Sequence, residues 1–450
     1  QTMELCGTYS HPNGHVNCVR FSRDGTVMAT ACDDKVIRIW STETLCLIRY
    51  LVGHQGEVRA LDFSSDSSLI ASCAWDRSVR VWEPEHSDES GVCECVSKSR
   101  HRIGTLSSDI KFAHDFPSDS DPLFASTADN RIYIWRASIN PYTSDSSAIV
   151  GGGSGEQNGF HGRGRRRRSV HMWHTKTVTG HRDLVSCIAF GRYDHSCRKL
   201  TLVSGSYDSH VRVWEIILDI DLDHVISVEA LRTFKGHTSH VYCLDVCSQR
   251  NLIASGGEDK KVYIWKNISP PHSQQQQQDN DRKLNRKMTG RMQQQSRSTA
   301  GVVVKQPQRT LQQEIRPSTL SFVPGGNAIV VGGVGNIISI WSLSEGRVVM
   351  NTNLPKDVFQ ISSIALTEDG EYMGAADWGR ANDLFGHLRL WQTSAVAVMR
   401  VVSMAFSNPH IVSLIMQYGS YYYYYSLLSP SSSDHLTTGS GEEREGEILR

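Results

Sequence analysis

Apolar residues recur at every second position in short stretches of the chain, as at Val211 and Val213 or at Val262 and Ile264. A period of two is typical of β-strands, whose successive side chains point to opposite faces of a sheet. The segments between these stretches carry Gly, Asp, Asn and Ser, which favour turns. Helical periodicity is nearly absent. The pattern therefore predicts an all-β protein.

Tryptophan closes a unit of this kind at seven places. One unit, GHQGEVRALDFSSDSSLIASCAWDRSVRVW, runs from Gly53 to Trp82. Similar units end at Trp40, Trp82, Trp135, Trp214, Trp265, Trp341 and Trp391. An aspartate lies six residues before the tryptophan at Asp34, Asp76, Asp129, Asp208 and Asp259. A hydroxyl residue lies ten residues before it at Thr30, Ser72, Ser204 and Ser255. Recurrence at two fixed offsets indicates an internal structural repeat.

These units resemble the WD-repeat β-propeller family, whose four-stranded repeats carry recurring Gly-His and Trp-Asp marks. The resemblance covers about residues 1–395. None of the seven closing tryptophans is followed by aspartate; Trp82 and Trp214, for example, both precede glutamate. One repeat cannot bury its own sheet faces, whereas repeats stacked around an axis can. The resemblance implies an all-β propeller of seven four-stranded blades.

The family also implies a hydrogen-bonded chain within each well-formed repeat. The implied sets are His54, Ser72, Asp76 and Trp82; His181, Ser204, Asp208 and Trp214; and His237, Ser255, Asp259 and Trp265. Tryptophan offers only a donor and aspartate only acceptors, while serine and histidine supply both. Because the same set recurs in several repeats, a structural role is favoured over a catalytic Ser-His-Asp arrangement. The other four repeats match the pattern less well, and we expect them to be less tightly braced.

Two insertions and a tail depart from the repeat. The segments at about 140–170 and 268–308 are polar and poor in aromatic residues, so we expect them to be disordered loops. We also expect a disordered tail at the C-terminus. The outer strand of the last blade has two candidates, MELCGTYS near the N-terminus and AVAVMRVVSM near residue 400. Within 396–450, residues 400–425 are read either as an extra strand or degenerate eighth unit, or as a tail. The chain begins with Gln1 rather than Met, which we interpret as a fragment or a processed form.

Composition and motifs argue against several classes of protein. The 47 Lys and Arg residues balance 47 Asp and Glu residues, so no overall field attracts nucleic acid or an anionic membrane. The cysteines are scattered without zinc spacing and indicate reduced thiols. The most apolar late stretch contains Arg400 and Pro409, which excludes a membrane span. Phosphate-binding loops and nucleophile motifs are absent. We expect no enzyme, cofactor, metal, small-molecule substrate or membrane partner.

The resemblance implies that proteins or peptides dock on the narrow face of the ring, around its central channel. The residue before each bracing aspartate, and the residue before the first strand of a blade, should point there. These candidates are Asp33, Glu57, Trp75, Leu184, Tyr207, His240 and Glu258. Trp and Tyr are favoured at binding hot spots. The acidic members would suit a basic ligand.

A basic run comprises Arg163, Arg165, Arg166, Arg167 and Arg168. A solvated loop is the simplest interpretation, followed by nuclear localisation and then by nucleic-acid contact. We expect a nuclear or cytoplasmic protein, with a lean to the nucleus. The favoured function is a non-enzymatic scaffold or adaptor in a multiprotein complex. The alternatives are a substrate receptor of a cullin–RING ubiquitin ligase and a chromatin- or RNA-associated propeller that uses basic loops.

Overall fold

All named secondary-structure elements in the part of the chain that the structure describes are β-strands, which are joined by turns and loops. The computed structural model describes residues 4–11, 14–84, 92–95, 97–100, 107–117, 120–140, 169–219, 224–266, 302–379 and 386–393. These residues form strands β1 to β30, numbered in chain order, which are arranged in seven sheets. The predicted seven-bladed, all-β propeller is therefore confirmed.

The first four blades follow the chain in order, each from its innermost strand outward. Blade 1 contains β2 (Val16–Phe21), β3 (Val27–Cys32), β4 (Ile37–Ser41) and β5 (Leu47–Val52). Blade 2 contains β6 (Val58–Phe63), β7 (Ile70–Ala74), β8 (Ser78–Trp82) and β10 (Ser97–Arg100). Blade 3 contains β11 (Ser107–Phe112), β12 (Leu123–Ala128), β13 (Arg131–Asn140) and β14 (Ser169–Thr179). Blade 4 contains β15 (Val185–Asp194), β16 (Lys199–Ser206), β17 (His210–Leu218) and β18 (Val225–Lys235).

The last three blades follow the same plan, except that the seventh takes its outer strand from the other end of the chain. Blade 5 contains β19 (Val241–Cys247), β20 (Leu252–Gly257), β21 (Lys261–Lys266) and β23 (Arg309–Gln312). Blade 6 contains β24 (Pro317–Phe322), β25 (Ala328–Gly333), β26 (Ile337–Ser342) and β27 (Arg347–Asn353). Blade 7 contains β28 (Gln360–Leu366), β29 (Tyr372–Trp378), β30 (Gly386–Gln392) and β1 (Glu4–His11).

The ring closes at blade 7 in two ways, by strand pairing within the blade and by contact with blade 1. Strand β1 pairs antiparallel with β30, with Leu5 opposite Trp391 and His11 opposite Gly386. The N-terminal candidate, and not the segment near residue 400, therefore forms the outer strand. The inner strands contact one another in a cycle in which β28 meets β2. This cycle leaves no position in the ring for an eighth blade.

At each joint between neighbouring inner strands, a side chain of one blade is hydrogen-bonded to a backbone group of the next blade. Two forms of bond occur. A backbone N–H donates to an aspartate in Phe112 to Asp62, Ile188 to Asp109 and Phe322 to Asp245, at 2.8–2.9 Å, and Ile364 N–H donates to Thr319 at 3.0 Å. A side chain donates to a backbone carbonyl in Asn17 to Val58 and Ser186 to Val241, at 2.9 and 2.6 Å, and in Ser362 to Val16. These bonds satisfy backbone groups that would otherwise be costly to bury.

Two short strands extend blades 1 and 4 and were not predicted. Strand β9 (Val92–Glu94) pairs parallel with β5, and β22 (Val302–Val304) pairs parallel with β18. Both lie in the connection between the third and outer strands of the next blade. The second insertion therefore ends before Val302 rather than near residue 308.

Apolar layers fill the spaces between blades. Between blades 7 and 1, for example, Val16, Met28 and Trp40 pack with Leu388 and Leu390. The eleven cysteines form no disulfide, and most of them lie in these layers. Within the described residues, no helix is long and apolar enough to cross a membrane. The basic run at 163–168, residues 400–425 and most of both insertions lie outside the described residues.

Deleting residues 1–11 should destabilise the propeller, because it removes β1 and exposes the edge of β30. Several ladder hydrogen bonds worth about 0.5–1.5 kcal/mol each would be lost, so we expect a loss of at least about 2 kcal/mol. Urea denaturation measures this change. A matched deletion of residues 441–450 is the control, and equal stabilities of the two shortened proteins would contradict this account of closure.

Candidate functional site

Three blades contain the hydrogen-bonded chain that the repeat pattern implied. In blade 2, Trp82 Nε1 donates to Ser72 Oγ at 2.8 Å. His54 Nε2 lies 2.8 Å from the same Oγ, and its Nδ1 lies 3.0 Å from the Asp76 carboxylate. Since the indole only donates and the carboxylate only accepts, the serine hydroxyl donates to Nε2 and Nδ1–H donates to aspartate. The histidine is thus neutral, with its proton on Nδ1.

The equivalent residues of blades 4 and 5 adopt the same geometry. His181 lies 2.7 Å from Ser204 and 2.9 Å from Asp208, and Trp214 donates to Ser204 at 2.8 Å. His237 lies 2.9 Å from Ser255 and 3.1 Å from Asp259, and Trp265 donates to Ser255 at 2.9 Å. The serine and histidine side chains of all three sets are buried and hydrogen-bond to one another.

Burial and hydrogen bonding shift the protonation of these chains in a consistent way. Burial lowers the pKa of His54 and His181, and this outweighs the opposing effect of the hydrogen bonds to Asp76 and Asp208. Burial alone would raise the pKa of Asp76 and Asp208, but the hydrogen bonds from the histidines and from nearby hydroxyl or backbone groups outweigh it. Both carboxyls therefore have a pKa well below the usual range, and each pair is a neutral histidine beside a carboxylate.

The remaining blades contain only parts of this chain. In blades 1 and 3 the bond from tryptophan to the hydroxyl group is present without the bracing histidine. Trp40 donates to Thr30 at 3.0 Å, and Trp135 donates to Ser126 at 2.8 Å. In blade 6, where Gly335 occupies the position of the aspartate, the buried indole nitrogen of Trp341 has no hydrogen-bond partner in the described residues.

Blade 7 replaces the chain with a buried ion pair. The Asp377 carboxylate contacts the Arg389 guanidinium, and both side chains are almost fully buried. His387 Nδ1 lies 3.3 Å from the same carboxylate. Burial lowers the pKa of Arg389. This substitute was not predicted, because Asp377 does not lie at the aspartate position of the repeat, although Arg389 lies two residues before its tryptophan, as Arg38, Arg80 and Arg212 do.

One face of the ring gathers the predicted docking residues. On this face, which we call the narrow face, the turn between the second and third strands meets the residue before the inner strand. Each of these bonds joins a backbone N–H to a backbone carbonyl oxygen. The N–H of Trp75 donates to the carbonyl of Glu57, that of Tyr207 to Leu184 and that of Glu258 to His240, at 2.8–2.9 Å. The N–H of Asp33 donates to His15 at 3.1 Å. The repeated bond fixes each candidate at an equivalent place.

Arg59 is the centre of one cluster on the narrow face. Its guanidinium lies over the Trp75 ring, 4.7 Å from the ring centre, and 5.9 Å from that of Trp378. Its nitrogen lies 3.8 Å from Glu57 and 3.9 Å from Asp33. The structure therefore brings Asp33, Glu57 and Trp75 together around one arginine.

Tyr207 and His240 belong to a second cluster. Their rings stack with centres 4.4 Å apart, and Tyr242 meets the Tyr207 ring edge-on. The Arg316 guanidinium lies 5.0 Å from the centre of the Tyr242 ring and 3.8 Å from Glu258. Leu184 is half-buried, and its carbonyl oxygen accepts the hydrogen bond from Tyr207.

Members of both clusters line a single cavity of about 440 Å³ at the mouth of the central channel, and of the predicted docking residues Tyr207 is among them. Arg59, Arg316, Tyr207, Tyr242 and Trp378 all contribute to its wall. Phe359, which is 52% exposed, lies beside this site because its N–H donates to the carbonyl of Trp378.

Five of these residues, including Tyr242, were missed at the sequence level. Trp378 occupies the place of Trp75 and Tyr207, but the irregular seventh repeat concealed it. Arg316 directly precedes its inner strand, as Glu57 does, and the same positional rule would have found it. Phe359 lies one residue further from its strand, because Gln360 is the counterpart of Glu57, so the rule does not reach it. Arg59 and Tyr242 are each the second residue of an inner strand, and nothing in the pattern marked them. Among the described residues, no group of three or more His, Cys, Asp and Glu side chains is placed to hold a metal ion.

Comparison with known proteins identifies the repeat. The family model "WD domain, G-beta repeat" matches residues 3–41, 45–83, 172–215 and 228–266. The chain is 30% identical over 262 residues to cell division control protein 4 of Candida albicans, covering 57% of this chain and 33% of that protein. It is 28% identical over 252 residues to protein HIR1 of Chaetomium globosum, covering 56% of this chain and 17% of that protein.

A shorter match links it to small ribosomal subunit protein RACK1 of Neurospora crassa, with 29% identity over 92 residues, covering 20% of this chain and 25% of that protein. In each of these three matches the chain spans a third or less of the relative's length. The four segments matched by the family model end just after Trp40, Trp82, Trp214 and Trp265. These are the units in which both polar offsets are kept.

Asp208→Ala should destabilise the protein by about 1–3 kcal/mol, because it leaves buried His181 without its acceptor. Chemical denaturation measures the change. Asp115→Ala, at an exposed turn position, is the matched control and should change stability by less than about 0.5 kcal/mol. Equal stabilities of the two variants would contradict the bracing role.

Stability should also fall as the pH drops below about 6.5, the unperturbed histidine pKa. The folded protein resists protonation of His54 and His181, so the unfolded state binds more protons below that pH. Each histidine then costs up to about 1.4 kcal/mol per pH unit. The lowered aspartate pKa values add a further loss only below about pH 4. Denaturation of the parent and of a His54→Gln/His181→Gln variant between pH 7 and 5 tests this, and an equally steep decline in both would refute it.

Proposed function

Because this chain belongs to the WD-repeat family and forms a seven-bladed β-propeller, we propose that it is a non-enzymatic scaffold or adaptor that docks other proteins on its narrow face. WD-repeat propellers in general are interaction scaffolds rather than catalysts. The polar residues that could suggest chemistry here are hydrogen-bonded to one another within the blades.

The observation that carries this proposal is the concentration of aromatic and arginine side chains around the channel mouth. Trp75 is 41% exposed and Phe359 is 52% exposed, while Tyr207, Tyr242 and Trp378 line the cavity with two arginines. Trp, Tyr and Arg dominate the binding energy of protein interfaces. Their backbones are fixed by strands and repeated turn bonds, so little order would have to be gained on binding.

We propose that the partners are proteins or peptides and that the protein acts in the nucleus or cytoplasm. A nuclear role is supported by the basic run at 163–168, which lies outside the described residues. Nucleic-acid binding would depend on the same run and is the less favoured interpretation.

Trp75→Ala combined with Tyr207→Ala should remove bound partners without unfolding the protein. Neither side chain belongs to a bracing chain, and both are large amphipathic groups that gain most from being covered by a partner. Affinity purification with quantitative mass spectrometry should show at least about a tenfold loss of specific partners, as expected when hot-spot residues are truncated. Thermal melts of the parent and the variant should be similar.

The matched control is Tyr50→Ala combined with Ile226→Ala, which removes exposed apolar groups from outer strands β5 and β18. This control should retain the partners. If the control loses them and the narrow-face variant keeps them, the docking surface is the rim and the proposal is wrong.

A further inference from the structure

The acidic residues expected to attract a basic ligand are already engaged on the narrow face. Asp33 accepts a hydrogen bond from Asn17 Nδ2 at 2.6 Å. Glu258 accepts one from Ser239 Oγ and lies 3.5 Å from His240. Glu57 lies 3.8 Å from Arg59. Their charges are therefore largely compensated, which argues against an open anionic site.

The two arginines at the mouth, in contrast, have unused donors. A guanidinium carries five N–H donors. Arg59 donates one hydrogen bond, to Asn17 Oδ1 at 3.1 Å, and its 3.8–3.9 Å contacts with Glu57 and Asp33 are too long for hydrogen bonds. Arg316 contacts Glu258 at 3.8 Å and interacts with the Tyr242 side chain, which leaves most of its N–H donors unused.

Aromatic rings hold both guanidinium groups in place. Arg59 lies over Trp75 and Arg316 over Tyr242, with 4.7 and 5.0 Å to the ring centres. Stacking fixes the plane of a guanidinium while leaving its N–H edge free, and that edge matches a carboxylate bidentately. Two guanidinium groups with free N–H donors therefore lie on the wall of one cavity, and each is oriented to bind an anionic group.

Four cationic side chains line the cavity, Arg59 and Arg316 at the mouth and Arg20 and Lys111 deeper in the channel, together with the carboxylate of Asp109. The carboxylates beside the two mouth arginines lie 3.8–3.9 Å away, so the case for an anionic ligand rests on the unused N–H donors and not on the overall charge of the wall. We propose that the channel mouth binds an acidic peptide segment of a partner protein, with one Asp or Glu side chain on Arg59 and another on Arg316. This inference rests on the proposed function, because it names the chemistry of the partner at the same face.

The test begins with a library of random short peptides displayed on phage and selected on the full chain. The enriched peptides should carry at least two Asp or Glu residues. One such peptide is then labelled with fluorescein in three forms: as selected, with its acids changed to Asn or Gln, and with those acids changed to phosphoserine. The amide form should bind at least about tenfold more weakly, since each charge-assisted bond is worth about one decade in affinity.

Arg59→Gln combined with Arg316→Gln should weaken binding of the acidic peptide at least about tenfold, with an unchanged thermal melt. Arg347→Gln is the matched control, because this arginine is exposed on outer strand β27 and pairs with Glu345. It should bind the peptide like the parent. Binding should also weaken as salt is raised.

Enrichment of neutral or basic peptides, no enrichment at all, or equal affinity of the double arginine variant would overturn the inference. Binding of the phosphoserine form alone would also overturn it and would identify a phosphopeptide as the occupant. The Trp75→Ala/Tyr207→Ala variant separates this failure from that of the proposed function. If a selected peptide binds the double arginine variant as tightly as the parent but fails to bind the Trp75→Ala/Tyr207→Ala variant, the narrow face still docks partners, and only the acidic chemistry is wrong.

Discussion

The propeller depends on the bonds by which each inner strand holds the next. At every one of the seven joints, a side chain of one blade is hydrogen-bonded to a backbone group of the following blade. An unpaired buried backbone group costs about 1–3 kcal/mol, so a blade that shifted against its neighbour would lose both the bond and the packing of the apolar layer. Pairing of β1 with β30 closes the same ring at its outer edge. The channel and its mouth have a fixed shape because this ring is closed.

Polar side chains serve two separate purposes in the molecule. Those of the bracing chains, such as His181, Ser204 and Asp208, are buried and pair with one another inside a blade. Those of the narrow face, such as Arg59 and Tyr207, lie one or two residues from a braced turn or inner-strand start and remain accessible. Function concentrates in loops that a rigid scaffold positions. The bracing chain thereby controls the orientation of residues that it does not itself contain.

The sequence predicted the seven blades because the tryptophan and aspartate spacing is local to each repeat. It also predicted Trp75, Tyr207 and His240 as residues of one face, because that inference needs only their position in a turn. It did not predict Arg59, whose neighbours Trp75 and Trp378 come from different blades. Strands β9 and β22 were missed for a related reason, since each pairs with a segment of the preceding blade that the repeat pattern does not relate to it. The Asp377–Arg389 pair was missed because Asp377 lies within the second strand of blade 7 and not at the aspartate position of the repeat.

Strands β9 and β22 have a mechanical consequence. Each leaves one blade, pairs with the outer strand of the blade before it, and returns, so blades 1 and 2 and blades 4 and 5 are linked at the rim as well as at the channel. A tensile load applied at the rim of either pair would be shared between two sheets. Because the links are parallel pairings of three residues each, they would yield before the four-stranded sheets that they join. Among the described residues, two of the seven joints carry a rim link of this kind, and these joints should resist deformation more than the others when a bound partner pulls on the ring.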